Sequence, residues 1–399
     1  MIRNMGIRLN GLVVLITLGA SISLAPRSSL GQGSVEDFHN ILREKLAFDE
    51  SDLAALRSGH TVVKLLPIQD KKEVALAGSV GLQVRAQAFL ESFRENMATK
   101  SNPAILEIGR FSNKPTLNDL NDLSFDKDDI EDLKRCVVGD CQLKLSASMI
   151  ERLRKEINWD TPDYAIKATQ LLKLMLLDYV RNYLTRGDVA LIEYSDKEKT
   201  VRLAQEQLAL KAASTYMNAI LTNSSQPTRS TLTNIENAIV WSKINFGLKP
   251  VISINHIAIY ENSNEVGPQV FITSKQIYAS HYFNSSLAIT AFINIPGLES
   301  YLVYENRSRV DGFGGPFGSL KRGVVANKAI NALSAILDQS KARLNARTRS
   351  REETAPIETG RTWKRWRVAG VHLFFWLLLI TAFGALLPLS KYRWKTEVP

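Results

Sequence analysis

The run Val368–Leu387, VAGVHLFFWLLLITAFGALL, carries no formal charge over 20 residues, and His372 is its one ionisable member. A helix rises 1.5 Å per residue, so a run of this length covers the ~30 Å hydrocarbon core of a bilayer. Trp363 and Trp366 precede it, and Tyr392 and Trp394 follow it, where interfacial aromatic residues belong. The alternative, a helix buried in a soluble core, needs a face it can turn to water, and no charged face exists here. The run therefore predicts a transmembrane helix over 368–390 with a short tail at 391–399.

Charge is distributed to match. The chain has 399 residues and a formal net charge of +10. Residues 1–27 carry +3, residues 341–367 carry +6 and residues 368–399 carry +2, which leaves −1 for residues 28–340. A neutral body with cations gathered beside apolar segments fits membrane topology and lipid head groups, not a nucleic-acid partner.

Arg3 and Arg8 precede the apolar, small-residue stretch Leu9–Ala25, and small residues at Ser29 and Gly31 suit a signal peptidase. Residues 1–31 read as a secretory signal peptide cut near Gly31, with an uncleaved signal anchor as the alternative. Either way the main domain is expected on the periplasmic or extracellular side of a single-pass membrane protein. Arg361, Lys364, Arg365 and Arg367 then lie outside and outnumber the cations of the tail, against the positive-inside rule. The export signal takes precedence, because the first segment usually sets orientation.

Between these ends the patterns predict an α+β fold. Ser34–Phe48 and Asp49–Leu56 read as helices. Val62–Pro67 and Glu73–Val84 read as strands around a polar turn, Gln87–Met97 as a helix and Ala104–Phe111 as a short strand. This N-terminal α/β part spans 32–111. Residues 112–246 read as a mainly helical insertion. Ser148 and Glu151 suggest a capping box for 149–158, and Thr161-Pro162 a helix start for a long amphipathic helix that Gly187 ends. Glu198–Leu221 and Leu232–Asn245 read as further helices. Pro250–Tyr260, Gln269–Ser280, Ser286–Ile295 and Tyr301–Arg309 are β-branched and aromatic runs, expected as an antiparallel meander. Ser319–Leu344 is one long helix that completes a 247–344 unit, and 345–367 is a basic tether to the membrane.

Four residues lie between Cys136 and Cys141, which matches neither a CxxC redox motif nor a haem-attachment motif. In an exported chain a local disulfide is expected, with a free pair next and a metal site last.

The layout of Val62–Val84, Gln87–Met97, Pro250–Arg309 and Ser319–Leu344 resembles the START-like helix-grip fold of polyketide cyclases and lipid-transfer proteins. The resemblance implies a curved antiparallel sheet wrapped around a long final helix, with an apolar cavity between them. About 135 residues (112–246) would be inserted into that fold. The stretches SKQIYASHYF and YENRSRVDGF are similar to exported bacterial proteins without an assigned activity.

Candidate chemistry is sparse. Gly312–Gly318 follows a strand, but its spacing is not that of a dinucleotide loop, and Pro316 removes an amide that a phosphate would use. It reads as a strand-to-helix turn. No Ser/His/Asp spacing, HExxH or P-loop is present, and neither a cofactor nor a metal is expected. Lys275, Tyr278, His281 and Tyr282 crowd one strand end, Arg307 and Arg309 share a face of another strand, and His256 lies on a third. Together they are expected to form the polar end of an apolar pocket, with cations for a carboxylate or phosphate. The foremost expectation is a membrane-anchored module that holds a lipid or other apolar ligand. A cell-envelope structural or interaction protein without a cavity is the alternative, and a hydrolase or cyclase-like enzyme using His281 or His256 is third.

Overall fold

The computed structural model describes residues 35–100, 103–218, 232–264, 267–295, 299–313 and 318–353. The expected signal peptide, the run Val368–Leu387 and the tail lie outside the described residues. Among the described residues no helix is long and apolar enough to cross a membrane.

The fold is α+β. Val62–Leu65 (β1) and Glu73–Leu82 (β2) form a hairpin, Ala86–Asn96 (α3) follows, and Ile105–Arg110 is β3. Ahead of them, Val35–Leu46 (α1) and Glu50–Arg57 (α2) meet at Asp49, whose carboxylate caps α2 through the Ser51 and Asp52 amides. Five long strands come later: Leu232–Ile244 (β6), Val251–Asn264 (β7), Gly267–Ala279 (β8), Phe283–Asn294 (β9) and Ser300–Val310 (β10). They form a meander, and β10 then pairs back onto β2. The result is an eight-stranded antiparallel sheet of order β1-β2-β10-β9-β8-β7-β6-β3.

Both faces of this sheet are covered. On the front, α3 lies over β8 and β9, and the 36-residue helix Gly318–Glu353 (α8) lies along β1 and β2. Phe89 of α3 stacks on Phe292 with ring centroids 5.0 Å apart. Leu333 and Leu337 of α8 sit over Gly78, where a Cβ would stand 2.7 Å from Leu337 Cδ1. The missing side chain is what lets the helix ride this close to β2.

The back face is divided. Helices α1, α2 and Leu203–Ala213 (α7) cover β2, β9 and β10. The rest of the insertion covers β6, β7 and the end of β8, through Lys127–Leu133 (α4), Ala147–Glu156 (α5) and Tyr164–Arg186 (α6). A two-stranded ribbon, Glu193–Tyr194 (β4) with Val201–Arg202 (β5), links α6 to α7. Cys136 and Cys141 are joined by a disulfide, and the loop they close is pinned by Gly139 N donating to the Ser195 carbonyl (2.8 Å) and Cys141 N to the Asp196 carbonyl (2.9 Å).

The insertion also completes the sheet. The β8–β9 ladder ends at Lys275 and Leu287, although both strands continue. Beyond that point the helical layer bonds the freed backbone. Gln207 Nε2 donates to the carbonyls of Gln276 (2.9 Å) and Ser286 (3.3 Å). Tyr179 donates to the Ile277 carbonyl (2.5 Å), and Ala279 N donates to Tyr194 Oη (2.9 Å). Buried backbone groups must find partners, and side chains of the insertion supply them here.

Several expectations are corrected. Leu232–Asn245 is a strand of the main sheet, so the insertion ends before it; Ala238 and Val240 pack on the front core while Ile239 and Trp241 pack on the back, which removes any alternation of polar and apolar residues. Helix α5 is capped by Ser146, not Ser148, with Met149 N donating to its hydroxyl (3.3 Å). Thr161 and Pro162 lie in the turn before α6, which begins at Tyr164. The expected helix Glu198–Leu221 gives way at its start to β5, and α7 begins at Leu203. The first residues of the expected tether continue α8 to Glu353.

Candidate functional site

The candidate residues do not converge. His256 and Lys275 are cross-strand partners on the back face, under α6. His256 Nδ1 lies 2.7 Å from Tyr183 Oη, and its Nε2 lies 2.9 Å from Asn237 Oδ1. With the phenol donating to Nδ1, Nε2 carries the ring proton and donates to the amide oxygen. Burial, aided by the Lys275 ammonium, lowers His256 to about 4, so the ring is neutral near pH 7. Lys275 is ion-paired with Asp188, and its ammonium lies 5.1 Å from the Tyr183 ring centroid.

Arg307 and Arg309 share the back face of β10, beneath α7. Arg307 bridges two buried carboxylates, Glu73 (2.6 Å) and Glu305 (2.8 Å). Glu305 also accepts from Ser214 Oγ (2.5 Å), and burial, outweighing these bonds, raises its carboxyl above the usual range. Arg309 pairs with Asp70 and lies 2.8 Å from Glu206 of α7.

Tyr278 is buried on the back face, its ring centroid 6.3 Å from that of Tyr194. His281 and Tyr282 form the β8–β9 turn, and Tyr282 adopts φ 58°. Tyr282 Oη accepts from Lys249 N (3.2 Å), while its ring borders the front core. His281 is buried between Asp129 of α4 and the Gln142 carbonyl next to the disulfide loop. The expected polar end of a pocket between the strands and α8 is therefore not assembled. Apart from Tyr282, these side chains face the helical layer on the other side of the sheet or lie in the turn, and His256, Lys275, Arg309 and His281 bond that layer to the sheet.

Two polar groupings escape a reading of the sequence. Lys144 is 2% exposed and bonds Asp311 (2.6 Å) and Asn284 (3.0 Å), with Asp196 at 3.8 Å. Lys197 reaches the same Asp311 oxygen (2.9 Å). The one hint was a lone cation in an apolar setting, Leu143-Lys144-Leu145. The second grouping lies on the front face, where Asn255, Gln276, Ser286 and Ser308 come from four successive strands. Asn306 Nδ2 donates to Ser286 Oγ (3.1 Å), and the amides of Gln276 and Asn255 each donate to Ser253 Oγ (3.0 Å). Gln276 Oε1 is buried without a hydrogen bond.

Many apolar side chains of the front core are fully buried. Val80, Phe89, Leu90, Val240, Ile257, Ile272, Phe292 and Leu302 have 0% exposure. No cluster of His, Cys, Asp and Glu suited to a metal ion occurs among the described residues. No protein-family model, curated protein or solved structure matches this chain.

Proposed function

We propose that the chain is an exported, membrane-anchored interaction domain that works through its outer surface. The observation that carries this reading is the closed packing of the sheet. A lipid-sized cavity of ~300 Å³ or more would leave its lining side chains partly uncovered, whereas Val80, Phe89, Val240, Ile257, Ile272, Phe292 and Leu302 of the front core have no exposed surface. The cations that would greet a head group are already paired, Lys275 with Asp188 and Arg309 with Glu206 of the helical layer, and Arg307 with Glu73 and Glu305 of the sheet. That layer presents large apolar side chains outward, Ile166 on α6 (63% exposed), Val189 (79%) and Leu208 on α7 (67%). The apolar run near the C-terminus and the signal-like N-terminus support anchoring outside the cytoplasm.

The test is photo-crosslinking in cells from Ile166, Val189 and Leu208 of the full chain. One dominant protein adduct is the expected result. Lipid adducts alone, or none, would remove the reading.

A second reading, an apolar ligand between the sheet and α8, is favoured by the layout of strands and long helix and by the bare Gln276 Oε1. Native mass spectrometry of the detergent-solubilised chain distinguishes it, because a retained stoichiometric lipid would support the ligand reading.

A further inference from the structure

Both ring nitrogens of His281 face atoms that only accept. Nδ1 lies 3.2 Å from the Gln142 carbonyl oxygen, and Nε2 lies 3.1 Å from Asp129 Oδ2. A neutral imidazole has one N–H and satisfies one of these bonds; an imidazolium satisfies both. The setting suits a cation. Asp129 is as buried as the ring, and its other oxygen accepts from Lys249 Nζ (3.0 Å), which also pairs with Asp132 (2.7 Å). The ring and the Lys249 ammonium thus face two carboxylates across the junction of sheet and insertion.

The four anchoring points come from separate parts of the chain. Asp129 and Asp132 are on α4, Gln142 follows the disulfide loop, Lys249 precedes β7, and His281 is in the β8–β9 turn. Two residues beyond Gln142, Lys144 N donates to the Ser280 carbonyl (2.9 Å), so this segment of the insertion is laid directly against the turn.

We propose that His281 is a proton-operated latch. As an imidazolium it bonds α4 and the disulfide loop to the sheet at once, and on losing a proton it must release one of them.

Around the ring, Asp129, Lys249, Tyr278 and Tyr282 are each shifted away from the range in which imidazole titrates. Burial works to raise the Asp129 carboxyl, but the His281 and Lys249 bonds outweigh it and keep it below the usual range. Burial works to lower the Lys249 ammonium, but Asp132 and Asp129 outweigh it and raise it. Burial raises the phenols of Tyr278 and Tyr282.

The test uses the full chain in detergent micelles at about pH 5.5 and about pH 8.5, either side of the range in which free imidazole titrates. At the lower pH, imidazole ¹⁵N shifts should report protons on both nitrogens of His281. Amide exchange in 128–133 and 142–145, corrected for intrinsic rates, should be about tenfold or more faster at the higher pH, which corresponds to about 1.4 kcal/mol or more of local opening, while β6 and β7 stay protected. His281→Gln, with one donor group, should remove this pH dependence. A neutral His281 at the lower pH, equal protection at both pH values, or pH dependence that survives in His281→Gln would each overturn the latch. The first two outcomes are read on the unmutated chain, so the result does not depend on a variant that folds.

Discussion

Tyr179 of α6 donates its phenolic proton to the backbone carbonyl of Ile277, 2.5 Å away, at the point where β8 has parted from β9. A side chain of the insertion thus stands in for a neighbouring strand. Tyr179→Phe keeps the ring and removes this bond, and it leaves a buried carbonyl without a partner. A loss of about 1–3 kcal/mol is expected in urea unfolding. A change below a few tenths would mean that water replaces the phenol.

Gly78 tests the seating of the long helix. A side chain there would meet Leu337 Cδ1 at 2.7 Å, Leu333 Cδ2 at 3.2 Å and Val63 Cγ2 at 3.2 Å. Gly78→Val should destabilise by about 1–3 kcal/mol through overpacking. The same substitution paired with Leu337→Ala should recover part of the loss, as a double-mutant cycle would measure.

Arg307 is a charged link between Glu73 and Glu305, all three buried on the back face. Arg307→Met strands both carboxylates, with an expected cost of about 3–5 kcal/mol. Arg307→Lys keeps a charge but not the two-pronged geometry and should fall between. Denaturant midpoints rank the three proteins.

Asp311 sets an acid limit. Burial would raise its carboxyl, but Lys144 and then Lys197 outweigh it and hold it below the usual range. A carboxyl that is more acidic in the folded state binds protons first in the unfolded state. Its contribution is therefore complete above the ordinary carboxylate range and is lost as pH falls from that range through the lower folded-state value. Asp311→Asn should lower stability near pH 7 and flatten the acid limb of the stability–pH curve. An unchanged limb would assign acid sensitivity elsewhere.

Reducing the Cys136–Cys141 bond opens a small loop, and the loop-entropy estimate for the loss is about 2 kcal/mol. The effect should be local. Exchange at Gly139 and Cys141, whose amides bond Ser195 and Asp196, should rise before that of the main strands.

The meander, β2, α3 and the long helix were legible because their apolar runs are punctuated by Asn, Gly, Pro and Ser. β6 was not, because its two faces enter two different cores, and Ile235 and Ile239 then fall at a helix-like spacing. The candidate polar residues do not share one pocket: His256 and Lys275 lie under α6, Arg307 and Arg309 beneath α7, and His281 and Tyr282 in the β8–β9 turn. An irregularity in register opposite Ile254 puts both Ile277 and Tyr278 against the helical layer, so counting by twos fails there. Lys144 finds Asp311 167 residues away, a pairing that no local pattern encodes.

The pairing of β2 with β10 also governs how the chain can be made. Arg307 meets Glu73 across 234 residues of sequence. As the chain emerges from its N-terminus, the edge of β2 that faces away from β1 waits unpaired until the last strand arrives. Such distant closure makes folding slow and leaves an aggregation-prone edge in the interval. A chain that stops short of Ser300 would carry every earlier strand and still lack the one that shields β2, so premature termination should yield aggregates and not a smaller folded domain.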